Sequence, residues 1–238
     1  MRLLVTRPEP DAVETAERLE LLGHQALLSP LLRIVFCTPP ADVADPAAII
    51  LTSRNGARAL ATWPQARGWL DRPLLVVGYA SADIVRRAGF RDIRIAGGNA
   101  AALAHLLMSQ FDKDVGPILY PAARDRAGSL ASDLALSGYS VDLVEAYRAE
   151  IAERLDPGIR VAIMSSSVDG ALYYSYRTAL AFRAIAEREG IVDRLLTMMH
   201  FAISNRVAVP FRDLGADVRV AHNPDEESLF ALLPKSGG

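Results

Sequence analysis

The sequence predicts an α/β protein of two similar lobes with parallel sheets, joined by a two-stranded linker. Three observations predict it: apolar runs of strand length alternate with stretches of helical period, the order of these units recurs along the chain, and two matched linker segments flank the recurrence.

Taken in order, strands are expected at Leu3–Thr6, Ala47–Leu51, Leu74–Val77, Asp92–Ile95, Pro117–Tyr120, Arg160–Met164, Phe201–Ile203 and Asp217–Val220, with helices between them. Ser and Asn residues directly after several of these runs can cap the helix that follows, because a short side-chain oxygen accepts a free first-turn N–H. Gly23, Gly89, Gly138 and Gly215 each close a helix before the next strand.

The recurrence has three pieces. Residues 3–34 echo 118–149, with Gly23 against Gly138 and Arg33 against Arg148. AIILTSRNGARAL (48–60) echoes VAIMSSSVDGALYY (161–174), each read as a strand, a hydroxyl cluster and a helix. Residues 76–96 echo 200–221 as strand, turn, helix, Gly and strand. The Pro-flanked segment from Pro30 to Pro40 reads as a linker strand, and Glu145–Ile151 is its counterpart. Two linkers mean that the chain crosses twice. Residues 1–30 plus 152–238 are expected to form one discontinuous lobe and 36–145 the other, with 31–35 and 146–151 as linker strands.

Composition bounds the function. At 238 residues and 51% apolar the chain can fill real cores, and its net charge of −2 gives no pull toward nucleic acid or an anionic membrane. The opening Met1-Arg2-Leu3-Leu4-Val5-Thr6-Arg7-Pro8 breaks into charge and proline before a signal-peptide core can form, and no apolar run reaches spanning length, so a cytoplasmic protein is expected. Cys37 stands alone, and His24, His105, His200 and His222 lack ligand spacing, so no metal is expected. Of the 26 basic residues only Lys113 and Lys235 are Lys. The Arg bias suits bidentate grip on a polyanionic ligand, and it also fits an Ala- and Arg-rich codon background. Gly97-Gly98-Asn99 lacks the spacing of a dinucleotide loop. Tyr173-Tyr174-Ser175-Tyr176 can stack on a flat ring or pack in a core, and Asp225-Glu226-Glu227 reads as the acidic first turn of a last helix.

Five stretches in order carry a resemblance: Thr6-Arg7-Pro8, Leu51-Thr52-Ser53-Arg54-Asn55-Gly56-Ala57, Val77-Gly78-Tyr79-Ala80-Ser81-Ala82, Tyr147-Arg148 and Met164-Ser165-Ser166-Ser167. On these the chain resembles the uroporphyrinogen-III synthase family nearly end to end. The resemblance implies two flavodoxin-like lobes, a cofactor-independent lyase, and hydroxymethylbilane as a substrate lying between the lobes. One departure is Ile203-Ser204-Asn205-Arg206, where the family carries an Ile-Gly-Pro-Thr-like turn.

The implied substrate bears an acetate and a propionate on each ring. Helix amino termini at strand carboxyl ends offer N–H groups and hydroxyls to such anions. Candidate substrate contacts are therefore Arg7, Thr52, Ser53, Ser81, Arg148, Ser165, Ser166, Ser204 and Arg206, each of which also has an ordinary capping or surface reading. Tyr147, matching the family's linker tyrosine, is the candidate proton donor for the departing hydroxyl, and its other reading is a structural hydrogen bond under the linker. The expected partners are the bilane and, transiently, the enzyme that forms it; a monomer is expected, with no nucleic acid and no membrane. Two further readings stand beside the cyclase: a non-catalytic two-lobed receptor, and a regulatory domain of the same fold.

Overall fold

The computed structural model describes residues 1–126 and 128–234. From the amino terminus β1 (Arg2–Val5), α1 (Asp11–Leu21) and β2 (Gln25–Leu28) lead to β3 (Leu32–Phe36). The middle of the chain forms β4 (Ala48–Leu51), α2 (Arg54–Thr62), a 3-10 turn over Pro64–Trp69, β5 (Leu74–Val76), α3 (Tyr79–Arg87), β6 (Ile93–Ile95), α4 (Ala100–Gln110), β7 (Ile118–Ala123), α5 (Leu130–Leu136) and β8 (Val141–Ile151). There follow α6 (Pro157–Met164), β9 (Gly170–Tyr173), α7 (Tyr176–Arg188), α8 (Val192–Leu195), β10 (Met199–Ala202), α9 (Asn205–Arg212), β11 (Val218–Val220) and α10 (Glu226–Phe230).

The chain divides into two compact units, Met1–Arg33 with the chain from Glu150 onward, and Ile34–Ala149. It changes unit inside β3 and again inside β8.

The first unit is a parallel sheet in the order β11-β10-β9-β1-β2. A parallel sheet must be covered on both faces, and β1 shows why this one is. Leu3 and Val5 face one core with Ala12, Leu19, Leu229 and Phe230, while Leu4 faces another with Phe182 and Phe211. Leu3, Leu4 and Val5 of β1 are fully buried, each worth about 1.5–3 kcal/mol of burial. From β1 the chain moves outward through α1 to β2, and from β9 it moves the other way through α7 to β10. The carboxyl ends of β1 and β9 therefore flank the topological switch point, where open α/β sheets bind ligands.

The second unit is also doubly wound, but its strand order differs: two strands, β5 and β6, lie outward of β4 on one side, where the first unit has only β2 outward of β1. Its sheet runs β3-β8-β7-β4-β5-β6, with β4 to β8 parallel and β3 at the edge beside β8. Helices α2 and α3 cover one face through Leu60, Ala82 and Val85, and α4 and α5 cover the other through Leu103, Leu107, Leu130 and Leu134. Here the switch point lies between β4 and β7.

One expected strand is corrected. Arg160–Met164 is not a strand but the body of α6, started by Asp156, whose carboxylate accepts from the N–H groups of Gly158 and Ile159, with Pro157 in the first turn. Ile159 and Ile163, four apart, are buried while Val161 is 65% exposed, which is a helical period. The strand that joins the sheet is Gly170–Tyr173, nine positions later, so AIILTSRNGARAL pairs with GALYYSYRTALAF instead. Gly170 starts that strand because a Cβ there would lie 2.7 Å from the carbonyl oxygen of Met199 on β10.

Candidate active site

In the second unit β4 carries the chain to Thr52 and Ser53 at its carboxyl end. Adjacent strand-end residues point to opposite faces, and each hydroxyl meets a tyrosine. Thr52 Oγ1 lies 2.9 Å from Tyr120 Oη on β7, and Ser53 Oγ lies 2.9 Å from Tyr147 Oη on β8. Ser53 also caps α2, accepting the Gly56 N–H at 3.0 Å. Gly56 lets α2 approach so closely, since a Cβ there would stand 3.0 Å from the Pro121 carbonyl oxygen.

Tyr147 reaches Ser53 because β8 is irregular. Pairing with β7 jumps from Ala122↔Glu145 to Ala123↔Tyr147, leaving Ala146 as the extra residue of a bulge. Val141 and Leu143 pack on the α4/α5 face, and strict alternation would send Tyr147 there too. The bulge turns it to the α2/α3 face, where it is buried beside Val144 and Ala146.

Burial pushes the Tyr147 phenol above its usual value, outweighing the Ser53 hydrogen bond, so the group stays protonated at neutral pH. Ser53 already accepts from Gly56. When Ser53 gives its own proton to the Tyr147 oxygen, the phenol proton is left to a ligand. Beside Thr52 and Tyr120, a small cavity of about 120 Å³ is also lined by Arg126, Ser129 and Ser132. Further along, Arg124 and Cys37 both bond to Glu145: Arg124 holds that carboxyl below its usual range, and burial with Glu145 pushes the Cys37 thiol up.

In the first unit the switch point is polar and filled. Arg7, just past β1, donates to Asp11 at 3.1 Å, Thr15 at 3.1 Å and Glu226 at 3.2 Å, and its guanidinium stacks 4.2 Å from the Tyr174 ring centroid. Ser175, just past β9, caps α7 by accepting the Thr178 N–H at 3.1 Å.

The structure brings together some expected residues and separates others. Thr52, Ser53 and Tyr147 share one strand-end site. Ser81 is buried in the first turn of α3, whose cap is Gly78. Arg148 is engaged with Cys37 and Glu145. Ser204 holds the cap position of α9 without a capping hydrogen bond, and Arg206 lies over the Tyr176 ring at 5.4 Å. The strand-end position expected of Ser165 and Ser166 is corrected: they close α6, with Ser165 donating to the Ala162 carbonyl oxygen at 3.2 Å and Ser166 at a φ of 55°. Asp169, bonded to the first residue of β1, follows them, so they sit at the amino ends of the strands. Ser175 is the residue that sequence reasoning missed. Its signal is Ser175-x-x-Thr178 after the buried run Gly170–Tyr173, the counterpart of Ser53-x-x-Gly56. Tyr120 and Glu226 were likewise not singled out as site residues, and nothing local marks either as such.

Among the described residues no group of three or more His, Cys, Asp or Glu could hold a metal ion, and no helix is long and apolar enough to cross a membrane. Two doubly wound α/β units with hydroxyl-capped helices at their strand ends define the class of tandem parallel α/β proteins; the expectation of two flavodoxin-like lobes is corrected, because only the first unit has the flavodoxin strand order. Within that class the uroporphyrinogen-III synthase HemD family matches residues 13–231, and the chain belongs to this family. Its fold is similar to uroporphyrinogen-III synthetase from Helicobacter pylori, at 17% identity over 98% of each chain with a TM-score of 0.64. It is also similar to a mutant uroporphyrinogen III synthase from Thermus thermophilus, at 18% identity over 97% of this chain and 95% of the other with a TM-score of 0.55. No curated protein sequence matches the chain.

Proposed function

We propose that this family member works as a uroporphyrinogen-III synthase, a lyase of heme biosynthesis, with Tyr147 as its proton donor. The observation that supports the assignment of Tyr147 is its 2.9 Å bond to Ser53 at the carboxyl end of β4, made possible by the Ala146 bulge. In the proposed reaction the C–O bond of the bilane's terminal hydroxymethyl breaks as Tyr147 gives a proton to the leaving water. The first ring becomes an electrophilic azafulvene. Ring D attacks through its substituted carbon, and the resulting spiro intermediate fragments and recloses with that ring reversed. The proton lost when the last pyrrole rearomatises balances the one supplied, so Tyr147 is restored by exchange through Ser53 or solvent. The bilane also closes unaided to the unrearranged isomer, so the protein's larger task is to hold the folded geometry that makes the spiro route reachable. Thr52, Ser53 and Arg126 are the groups of the second unit that we assign to the substrate carboxylates. The reading includes no cofactor, a cytoplasmic location, a monomer, and transient receipt of the bilane from the enzyme that makes it.

The test is a coupled assay that supplies fresh bilane to exhaustively chelated protein and resolves the product isomers. Isomer III is expected in excess over the spontaneous isomer I, with no gain on adding metal. Bilane binding without turnover would favour the regulatory reading instead, and turnover restored only by a metal would remove the cofactor-free reading.

A further inference from the structure

The switch-point crevice of the first unit holds a carboxylate that belongs to the chain itself. Glu226, the first residue of α10, extends over the carboxyl ends of β1 and β9, and groups from three elements converge on it. Its Oε1 accepts from Tyr174 Oη at 2.6 Å, Thr15 Oγ1 at 2.7 Å and Arg7 at 3.2 Å, and Arg18 bonds to its other oxygen. The Glu226 and Arg7 side chains are 19% and 12% exposed.

Much of this receptor does not depend on Glu226. Arg7 is fixed independently by Asp11 at 3.1 Å and by the Tyr174 ring, its Nε is buried with no partner, and Arg18 is held over the Phe230 ring at 5.0 Å. Two guanidinium groups and two hydroxyls aimed at one point make a site for a carboxylate, because charge-assisted bonds are the strong ones. Glu226 supplies that anion from the very start of α10, whereas Leu229 and Phe230, further along, anchor the helix in the core. The anchor of the helix therefore does not include the carboxylate.

We propose that Glu226 is a built-in placeholder, and that the crevice formed by Arg7, Thr15, Arg18 and Tyr174 is a carboxylate-binding site which a substrate acetate or propionate fills by displacing it. The idea rests on the cyclase reading for the identity of the ligand, but not for the existence of the site. A placeholder keeps the arginines preorganised and neutralised between turnovers, and it acts as an intramolecular competitor that weakens apparent substrate affinity by the fraction of time it occupies the site.

The test removes the placeholder and offers a substitute. Purified wild type, Glu226→Ala and Glu226→Gln are melted in sodium propionate and in sodium chloride at equal ionic strength. The variants should melt lower than wild type in chloride, and propionate should raise their Tm by about 2–4 °C over chloride while moving wild type by less than about 1 °C. Adding Arg7→Met to Glu226→Ala should abolish that rescue. Glu226→Gln keeps the volume and an acceptor for Thr15 and Tyr174, so it carries the comparison if the Ala variant is insoluble. In the bilane assay KM, read separately from kcat, should fall about three- to ten-fold in the variants. Folded variants that melt identically in both salts, or whose KM rises, overturn the proposal and leave a structural ion cluster. Propionate rescue in a protein that never turns over bilane would leave the carboxylate site standing and remove the cyclase reading.

Discussion

Tyr147 and His200 show how the surroundings of a single side chain set its chemistry. If Tyr147 donates the proton that releases the bilane hydroxyl, Tyr147→Phe should lower the rate of isomer-III formation by about 10²–10⁴-fold with KM little changed. Ser53→Ala should cost less activity, but it removes the cap of α2 and lowers stability by about 1 kcal/mol. Near-normal turnover and isomer ratio in Tyr147→Phe would leave conformational control of the bilane as the whole account. His200 is fully buried, stacked on Phe211 at 4.2 Å and on Tyr173 at 5.7 Å. Its Nε2 lies 2.9 Å from the Leu195 carbonyl oxygen and must donate there, so Nδ1 accepts from Tyr173 Oη at 3.0 Å. Burial lowers its pKa from 6.5 to about 4. The folded value lies below the unfolded one, so the unfolded chain takes up the proton first. The stability this neutral imidazole contributes is complete above pH 6.5, is lost as pH falls toward 4, and changes no further below that. The loss amounts to roughly 3 kcal/mol. His200→Gln should flatten the stability profile across this window in urea titrations; parallel profiles for variant and wild type would count against it.

At the scale of elements, β9 is the case in which local reading and folded structure part. Val161-Ala162-Ile163-Met164 is as apolar as any strand of the sheet, and the hydroxyls behind it imitate Thr52-Ser53. What settles the choice is the Asp156-Pro157 start on one side and, on the other, pairing of Gly170–Tyr173 with β1 and β10, whose residues lie far away in sequence. The helix signal was present; the competing pairing partner was not visible. Gly170 is where that pairing is tightest. Gly170→Ala must push β9 from β10 against the Met199 carbonyl, and it should destabilise the protein by about 1–3 kcal/mol, read as a drop of about 2–10 °C in Tm. An unchanged Tm would mean that the ladder yields there at no cost. By contrast, the helix-ending glycines were plain in the sequence: Gly23 and Gly138 take φ values of 78° and 95° after α1 and α5, a conformation other residues rarely adopt.

Across the whole molecule, the repeated order of units made the parallel α/β class legible, because strand length, helical period and punctuation by Gly, Ser and Asn are local properties written wherever an element stands. The same order carried the family resemblance, which the match over residues 13–231 establishes. The sequence by itself thus determined the class, the family and the Thr52-Ser53 strand end. Which side chains those hydroxyls meet was decided only by tertiary structure. Tyr147 reaches Ser53, 94 positions away, through a one-residue bulge that no period predicts. Arg7 meets Glu226 across 219 positions, and an acid that reads as a solvated first-turn charge becomes the centre of a half-buried ion cluster. Periodicity fixes the face on which a residue lies, whereas its partner depends on strand order and register, which are set by contacts between segments with no local trace of one another.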